Sequence, residues 1–298
     1  MTACTTAWSR CAPARTGEAL ATIRRHGALT PAAQLQQGLW GTDPQGWAEL
    51  AEPHNQPLFE ALLDATATRS GTRLLDVGCG SGLLMSLAVG RGAGVAGVDV
   101  SPGLLAVAAA RLPGADLWLA DMQQLPFADA AFDAVTAVNA VQFAADPLAA
   151  LAEAARVCRP GGLVGLAAFA EPDRVQSTAV HLAMAALSPP ERESDHAPYA
   201  LSSPGGMEAA LAAAGLPVAA KGEVECVWRY QTAADAVRAL IGSAGGTRAV
   251  QDAGQPAVRA AISSALIPFT DPADGTIAMR NVFRWVTARR PDSGTARP

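Results

Sequence analysis

Between residues 72 and 169, short apolar runs alternate with longer stretches rich in Ala and Leu. The runs predict strands over residues 73–77, 94–98, 116–120, 132–138 and 162–169. The stretches predict helices over residues 82–90, 102–111 and 147–158, the last two starting at the capping pairs Ser101-Pro102 and Asp146-Pro147. This alternation is typical of βαβ units, and right-handed crossovers arrange such units as a doubly wound, mostly parallel sheet.

The regular alternation of short apolar runs and Ala/Leu-rich stretches ends after residue 169. The pattern there predicts an amphipathic helix over residues 174–187, a loop over 188–206, a short helix over 207–214 and an extended run over 218–230. It then predicts mainly helical structure with Gly-rich interruptions over 233–267 and a final strand over 276–288. A loop as long as 188–206 exceeds a simple connector and suggests a functional segment.

We therefore expect a single domain over residues 35–298, preceded by a leader over residues 1–34. The leader is rich in Ala, Thr and Arg and poor in acids, and we interpret it as partly disordered, with a transit peptide or a misassigned start codon as alternatives. The domain divides into a helical cover, a core and two insertions over the expected acceptor pocket. These parts are residues 35–70, 72–169, 170–206 and 231–270.

Composition narrows the possible partners and the compartment. The formal net charge is −5 and Lys221 is the only lysine, so a surface for nucleic acid is not expected. The five cysteines form no CxxC pair and no Cys/His ligand pattern, which disfavours disulfides and a bound metal and favours the cytoplasm. No apolar run reaches the roughly 20 residues that span a bilayer, so we expect no membrane span.

The segment LLDVGCGSG, residues 74–82, carries the first candidate site. It is an apolar strand that ends near an acid and enters a turn with three alternating glycines. Gly78, Gly80 and Gly82 allow the backbone to approach a ligand at the carboxyl edge of the sheet. A dinucleotide fingerprint, GxGxxG, would require its third glycine at Leu83, so the spacing disfavours NAD.

Acidic residues end the next two strands. Asp99, in GVDVSP, lies where a carboxylate can accept hydrogen bonds from both hydroxyls of a ribose, in NAD and S-adenosylmethionine alike. Asp121 and Met122, in ADMQQLPF, come to the same sheet edge, where the carboxylate can bind an exocyclic adenine amine and the methionine can pack on the ring. The order predicts one cleft that binds an adenosine-containing cofactor.

Together with FDAVTAVNAVQF, residues 132–143, these blocks resemble the motif set of the class I S-adenosylmethionine-dependent methyltransferases. The resemblance is to small-molecule enzymes similar to those of ubiquinone biosynthesis and antibiotic tailoring. It implies a Rossmann-like sheet of seven strands, with an antiparallel strand near the C-terminus and helical insertions forming a lid. By this resemblance the cofactor-binding residues are Trp47, Asp76, Gly78, Cys79, Gly80, Asp99, Val100, Asp121, Met122, Asn139 and Gln142.

Each implied role is specific. Asp76 and residues 78–80 would hold the methionine portion, Asp99 and Val100 the ribose and adenine, and Asp121 and Met122 the adenine edge. Asn139 would turn its carbonyl towards the cofactor amine, and Trp47 would contact the cofactor from the cover. Many relatives carry paired histidines shortly after the Asn139 position, but this chain has Gln142 and Phe143 there.

Candidates for acid–base catalysis lie in the first insertion. His196 stands in the long loop with Asp195 and Tyr199, and His181 lies on the preceding predicted helix. His196, His181 and Tyr199 are therefore our candidate catalytic residues, although methyl transfer can proceed mainly by alignment of the reactants. No cluster of acids and histidines predicts a metal.

The implied function is transfer of a methyl group from S-adenosylmethionine, leaving S-adenosylhomocysteine, to a small hydrophobic acceptor. O-, C- and N-methylation all remain open, and secondary metabolism and a monomer or homodimer are expected. One alternative is an enzyme of the same fold that uses the cofactor in a cyclisation, decarboxylation or rearrangement. A nicotinamide-dependent reductase and a non-catalytic ligand-binding protein are alternatives of other classes.

Overall fold

The computed structural model of the protein describes residues 22–189 and 201–292. Within these ranges, eight strands form one sheet in the order β1-β4-β3-β2-β5-β6-β8-β7. The pairs from β1 to β6 are parallel, whereas β8 is antiparallel to both β6 and β7. The strands are β1 Arg24–Arg25, β2 Arg73–Val77, β3 Gly94–Asp99, β4 Asp116–Leu119, β5 Phe132–Val138, β6 Cys158–Phe169, β7 Val218–Tyr230 and β8 Ile277–Arg289.

Helices connect and cover these strands. They are α1 Pro31–Trp40, α2 Gln56–Ala65, α3 Leu83–Gly90, α4 Pro102–Arg111, α5 Pro147–Val157, α6 Thr178–Ala185, α7 Gly206–Ala213, α8 Ala233–Ile241, α9 Ala244–Ala253 and α10 Gln255–Leu266. Short helical turns, Pro44–Gly46, Trp47–Ala51 and Glu52–Asn55, join α1 to α2. The predicted caps are confirmed, because Ser101 accepts from the backbone of Leu104 and Asp146 accepts from that of Leu148.

Apolar clusters of the core lie on both faces of the sheet. Leu74 packs into the cluster that contains Leu62 of α2, whereas its neighbour Leu75 packs into the cluster that contains Leu151 of α5. This division follows from the two-residue period of a strand, which sends successive side chains to opposite faces. The doubly wound α/β fold predicted from the sequence is therefore confirmed.

The structure adds one strand to the seven that were expected. Arg24–Arg25 pairs in parallel with Trp118 and Leu119 of β4. A strand of two residues is too short to carry an alternating pattern, so sequence periodicity does not reveal it. The expected leader boundary at residue 34 also falls inside α1, which begins at Pro31 behind the capping side chain of Thr30.

Other boundaries shift for local reasons. The helix expected over residues 174–187 shortens to Thr178–Ala185, because Pro172–Arg174 forms a separate 3-10 turn. The helical stretch over residues 233–267 divides at two glycines into α8, α9 and α10. These three helices and α6 share an apolar cluster that includes Val180, Leu240 and Ile262. Among the described residues, no helix is long and apolar enough to cross a membrane.

Candidate active site

A cavity lies at the carboxyl edge of the parallel strands. In the described part of the chain, every lining residue lies between Thr30 and Ala145. The strand wall, as we name it, consists of the lining residues from Asp76 to Ala145, at the ends of β2 to β5, in the turns that follow and at the starts of α3 and α4. The cover wall consists of Thr30, Ala33, Gln36, Trp40, Trp47, Glu52, Asn55 and Phe59.

The glycine turn after β2 forms the centre of the strand wall. Gly78 and Gly80 have positive φ angles of 73° and 54°. A Cβ atom on Gly78 would lie 2.5 Å from the Cβ of Ala140, so a side chain does not fit there. The amides of Gly78 and Cys79 donate to the carbonyl of Val98 at 2.8 and 3.0 Å. The turn is therefore held against β3 and presents its backbone to the cavity.

Asp99 lies at the end of β3 and is 9% exposed. One carboxylate oxygen accepts from the amide of Gly80 at 2.9 Å, and the other accepts from that of Ser101 at 2.8 Å. Burial raises the pKa of this carboxyl, and these backbone donors oppose the rise. Each oxygen retains a lone pair, so Asp99 can also accept from a pair of ligand hydroxyls.

Asp76 is the most deeply buried acid of the cavity, at 3% exposure. Its Oδ1 accepts from the hydroxyl of Thr136 at 2.8 Å. Burial raises the pKa of Asp76 to about 7, and the negative charges of Glu52 and Asp99 contribute to the rise. A cationic ligand group beside Asp76 would relieve this repulsion, because an opposite charge favours the ionised form.

Asp121 connects the two walls. Its Oδ2 accepts from the hydroxyl of Thr30 at 2.6 Å, and its Oδ1 accepts from the amide of Gln123 at 3.0 Å. A second link joins the cover to the strand wall nearby, where Nε2 of Gln37 donates to the carbonyl of Val100 at 2.8 Å. The strand end that was predicted to bind adenine is therefore tied to α1 of the cover.

Asn139 follows β5 with a φ angle of 48°, which is strained for a residue other than glycine. Its Oδ1 is buried and has no hydrogen-bond partner within the described residues. A buried acceptor without a partner is costly, so this atom suits a donor on a ligand. Gln142 is 8% exposed but lies outside the cavity lining, unlike the other predicted cofactor-binding residues.

Glu52 contributes a buried carboxylate from the cover wall. Its Oε2 pairs with Nη1 of Arg111 at 2.5 Å, and its Oε1 accepts from the amide of Leu83 at 3.1 Å. Arg111 also donates to the carbonyl of Ser81 at 2.8 Å. Sequence reasoning did not identify Glu52, because its partners lie 31 and 59 residues away along the chain.

Aromatic side chains complete the cover wall. Trp40 makes edge-to-face contacts with Trp47 and Phe143, with ring centroids 5.1 and 5.7 Å apart. Phe143 belongs to the strand wall, so the three rings extend from one wall to the other. Trp47 was expected in the cavity, and Trp40 lines it as well.

No candidate for acid–base catalysis is among the described residues that line this cavity. His181 packs edge-to-face on Phe169, with ring centroids 5.7 Å apart, and does not line the cavity. His196 and Tyr199 lie outside the described residues. The expectation that residues 170–206 and 231–270 cover an acceptor pocket stays a prediction, since the described lining ends at Ala145.

Comparisons with known proteins agree with this geometry. Residues 75–166 match the family model described as a methyltransferase domain. The malonyl-[acyl-carrier protein] O-methyltransferase of Serratia marcescens is 41% identical over 105 residues, covering 35% of this chain and 41% of the relative. The chain spans about half or less of the length of the curated relatives it matches.

Solved structures agree on the fold. A provisionally assigned methyltransferase of Bacillus halodurans C-125 has a TM-score of 0.54 at 19% identity, covering 78% of this chain and 99% of that one. The [4+2]-cyclase SpnF has a TM-score of 0.51 at 22% identity, covering 87% of this chain and 93% of that one. At these identities, the similarity concerns the fold alone.

Proposed function

We propose that the chain binds S-adenosylmethionine and methylates a small, largely hydrophobic organic acceptor, using the Rossmann-like sheet whose residues 75–166 match the methyltransferase domain model. One observation carries the proposal: acids at three successive strand ends, Asp76, Asp99 and Asp121, line one cavity together with the glycine turn. When bound, the cofactor supplies an activated methyl group on a positively charged sulfur.

The residues present fit this cofactor. Asp76 would accept hydrogen bonds from the ammonium group of the methionine portion, beside the backbone of the glycine turn. Asp99 would accept from the ribose hydroxyls and Asp121 from the adenine amine, and Met122 would pack against the ring. Asn139 would offer its side-chain oxygen to the methionine amine. This bond would give a partner to Oδ1, which is buried and has none among the described residues. Trp47 covers the methionine end, since its Nε1 would lie 3.7 Å from a Cβ atom on Gly80.

Catalysis by this chain rests on alignment and exclusion of water. Methyl transfer is an in-line displacement, so the walls must hold the acceptor on the axis of the breaking bond. The apolar rings of the cover wall keep water from the reacting atoms. A phenol or hydroxyl acceptor needs a base, whereas an acceptor activated by conjugation does not. The chemistry of the acceptor therefore decides whether His196 acts.

We further propose that residues 174–203 form one wall of the acceptor site. The segment leaves the sheet after β6, whose carboxyl end lies at the same sheet edge as the cavity. His196→Ala and Tyr199→Phe should each lower kcat/KM for the acceptor and leave cofactor affinity unchanged. A loss of about 10²- to 10⁴-fold for His196→Ala would identify a general base. Full turnover in both variants would refute this wall and direct attention to α8, α9 and α10.

Secondary metabolism and the cytoplasm are part of the same proposal. The three cysteines in the described residues, Cys79, Cys158 and Cys226, are unpaired and buried, which suits a reducing compartment. Burial raises the pKa of each thiol, so none of the three is an activated nucleophile.

The test combines ligand binding with product mass. Calorimetry should show binding of S-adenosylmethionine and S-adenosylhomocysteine and weaker binding of NADH. Mass spectrometry of the purified protein should detect carried-over cofactor, and incubation with hydrophobic metabolites should yield a product heavier by one CH₂. Tighter binding of NADH would contradict the proposal. A product formed without that gain in mass would indicate a cyclisation or another rearrangement on the same fold.

A further inference from the structure

The methionine end of the cavity contains two carboxylates, and the proposed function uses only one of them. Glu52 lines the cavity beside the glycine turn, since its Oε1 would lie 3.9 Å from a Cβ atom on Gly80. Asp76 lines the same end at the start of that turn. The Glu52 side chain is 5% exposed, so its charge is shielded from bulk water. Two buried acids therefore line this end of the cavity.

The contacts of Glu52 fix its carboxylate in place. Arg111 binds Oε2 at the end of α4 and holds the carbonyl of Ser81, and Arg111 is not part of the cavity lining. The Oε1 atom accepts one backbone donor, from Leu83, and keeps a second lone pair. The negative charge of Glu52 also contributes to the raised pKa of Asp76. The arginine binds Oε2 and orients Glu52, while the Oε1 atom beside Gly80 has room for a ligand donor.

We infer that Glu52 is a specificity-determining residue that, together with Asp76, selects ligands carrying an ammonium group at the methionine end of the cavity. The inference rests on the proposed cofactor, whose methionine portion carries that group. A charged acceptor held in a buried site binds an ammonium far better than it binds a neutral group in its place. The competing explanation is that Glu52 has only a structural role and holds the glycine turn to the cover.

Three ligands separate these explanations by calorimetry at pH 8. S-adenosylhomocysteine carries the ammonium group, its deamino analogue lacks that group alone, and 5′-methylthioadenosine lacks the whole amino-acid portion. Glu52→Gln keeps an oxygen for the amide of Leu83 but removes the charge. We expect this variant to lower the affinity for S-adenosylhomocysteine about 10-fold or more. The affinities for the other two ligands should change less than about twofold. Equal weakening of all three, or no weakening, would overturn the inference.

Two further variants keep the test decisive. Arg111→Gln breaks the links to Ser81 and Glu52 but keeps the Glu52 carboxyl group and its bond from the amide of Leu83, so the preference for S-adenosylhomocysteine over its deamino analogue should persist. Loss of that preference in Arg111→Gln would show that the preference depends on holding the glycine turn to the cover rather than on the charge of Glu52. Glu49→Gln is the matched control, because Glu49 lies in the same helical turns, is 52% exposed and does not line the cavity.

The wild-type protein distinguishes this inference from the proposed function. If wild-type protein binds S-adenosylhomocysteine and Glu52→Gln retains the full preference for it, only the inference fails. If wild-type protein binds none of the three ligands, the proposed function fails and the inference with it. Thermal unfolding of each variant, compared with wild type, checks that a change in affinity is not a loss of fold.

Discussion

The two walls of the cavity are built by different physical means. On the strand wall, Asp76, Asp99 and Asp121 follow successive strands, so the topology of the sheet brings them to one edge. On the cover wall, residues from α1 to α2 reach the cavity through contacts with distant parts of the chain. Thr30 and Asp121, for example, lie 91 residues apart. The sheet itself positions the acids of the strand wall, whereas the cover wall depends on individual side-chain contacts.

The cover also makes contacts with the C-terminal helices α8 and α9. Asp43 pairs with Arg238 of α8 at 2.8 Å, and the hydrogen bond from Arg238 holds the pKa of Asp43 below its usual range. The hydroxyl groups of Thr42 and Thr247 lie 2.8 Å apart. The cover therefore connects the strand wall to the C-terminal helices. Substitutions in the strand wall should reduce affinity outright, whereas substitutions in the cover should change which ligands are preferred.

Asp76→Asn should have the largest effect on affinity. The variant keeps an oxygen for the hydroxyl of Thr136 but has no charge for the ligand ammonium, so we expect the affinity for S-adenosylhomocysteine at pH 8 to fall about 100-fold. Calorimetry measures the loss. An affinity within about twofold of wild type would contradict a role in the site.

The same variant should be more stable without ligand at pH 8. The folded-state pKa of about 7 lies above the ordinary aspartate value of 3.8, so the stability that Asp76 contributes is fully present below pH 3.8 and is lost as the pH rises through 7. The asparagine has no such dependence, and its advantage at pH 8 should reach up to about 4 kcal/mol. Thermal unfolding at pH 8 and pH 4 measures the difference, which should nearly vanish at pH 4.

Asp99→Ala tests the strand wall at the next strand. It should weaken cofactor binding by about 1 to 3 kcal/mol, because the ribose hydroxyls lose a charged acceptor. Asp64→Ala is the control, since Asp64 is exposed, pairs with Arg91 and does not line the cavity. Unchanged affinity in a folded Asp99→Ala protein would leave Asp99 with a structural role only, through Gly80 and Ser101.

Affinity should also depend on pH through Asp76. Protonation of Asp76 below pH 7 removes the charge that binds the ammonium group. Lowering the pH from 8 to 6 should therefore reduce the affinity for S-adenosylhomocysteine about 10-fold. The curve should flatten in Asp76→Asn. If the wild-type affinity stayed the same across this range, Asp76 would not titrate there.

Thr30→Val should have the smallest effect and tests the cover. The valine cannot donate to Asp121 or cap α1, so the affinity for S-adenosylhomocysteine should fall about three- to fivefold. The preference for S-adenosylhomocysteine over S-inosylhomocysteine, which lacks the adenine amine, should also shrink. Thr30→Ser should restore both. Thr42→Val is the control, because its hydroxyl contacts Thr247 away from Asp121, and an equal loss there would contradict a specific role for Thr30.

The sequence by itself determined the α/β fold and the chemistry of the strand wall. Strand ends, helix starts and the glycine turn each depend on a few adjacent residues, and parallel strands necessarily bring their carboxyl ends to one edge. Periodicity and strand order were therefore sufficient to predict that Asp76, Asp99 and Asp121 meet in one cleft. The sequence also indicated the glycine interruptions that divide residues 233–267 into separate helices.

Only the tertiary structure decided how the cover closes the cavity. The partners of Thr30, Gln37 and Glu52 lie on other elements, and no local pattern specifies which distant residue a polar side chain will meet. The position of Gln142 outside the lining was hidden for the same reason, whereas the two-residue strand β1 is too short to show a periodic pattern. A buried carboxylate such as Glu52 is stabilised by the groups that folding gathers around it, and those groups are neighbours in space rather than in sequence.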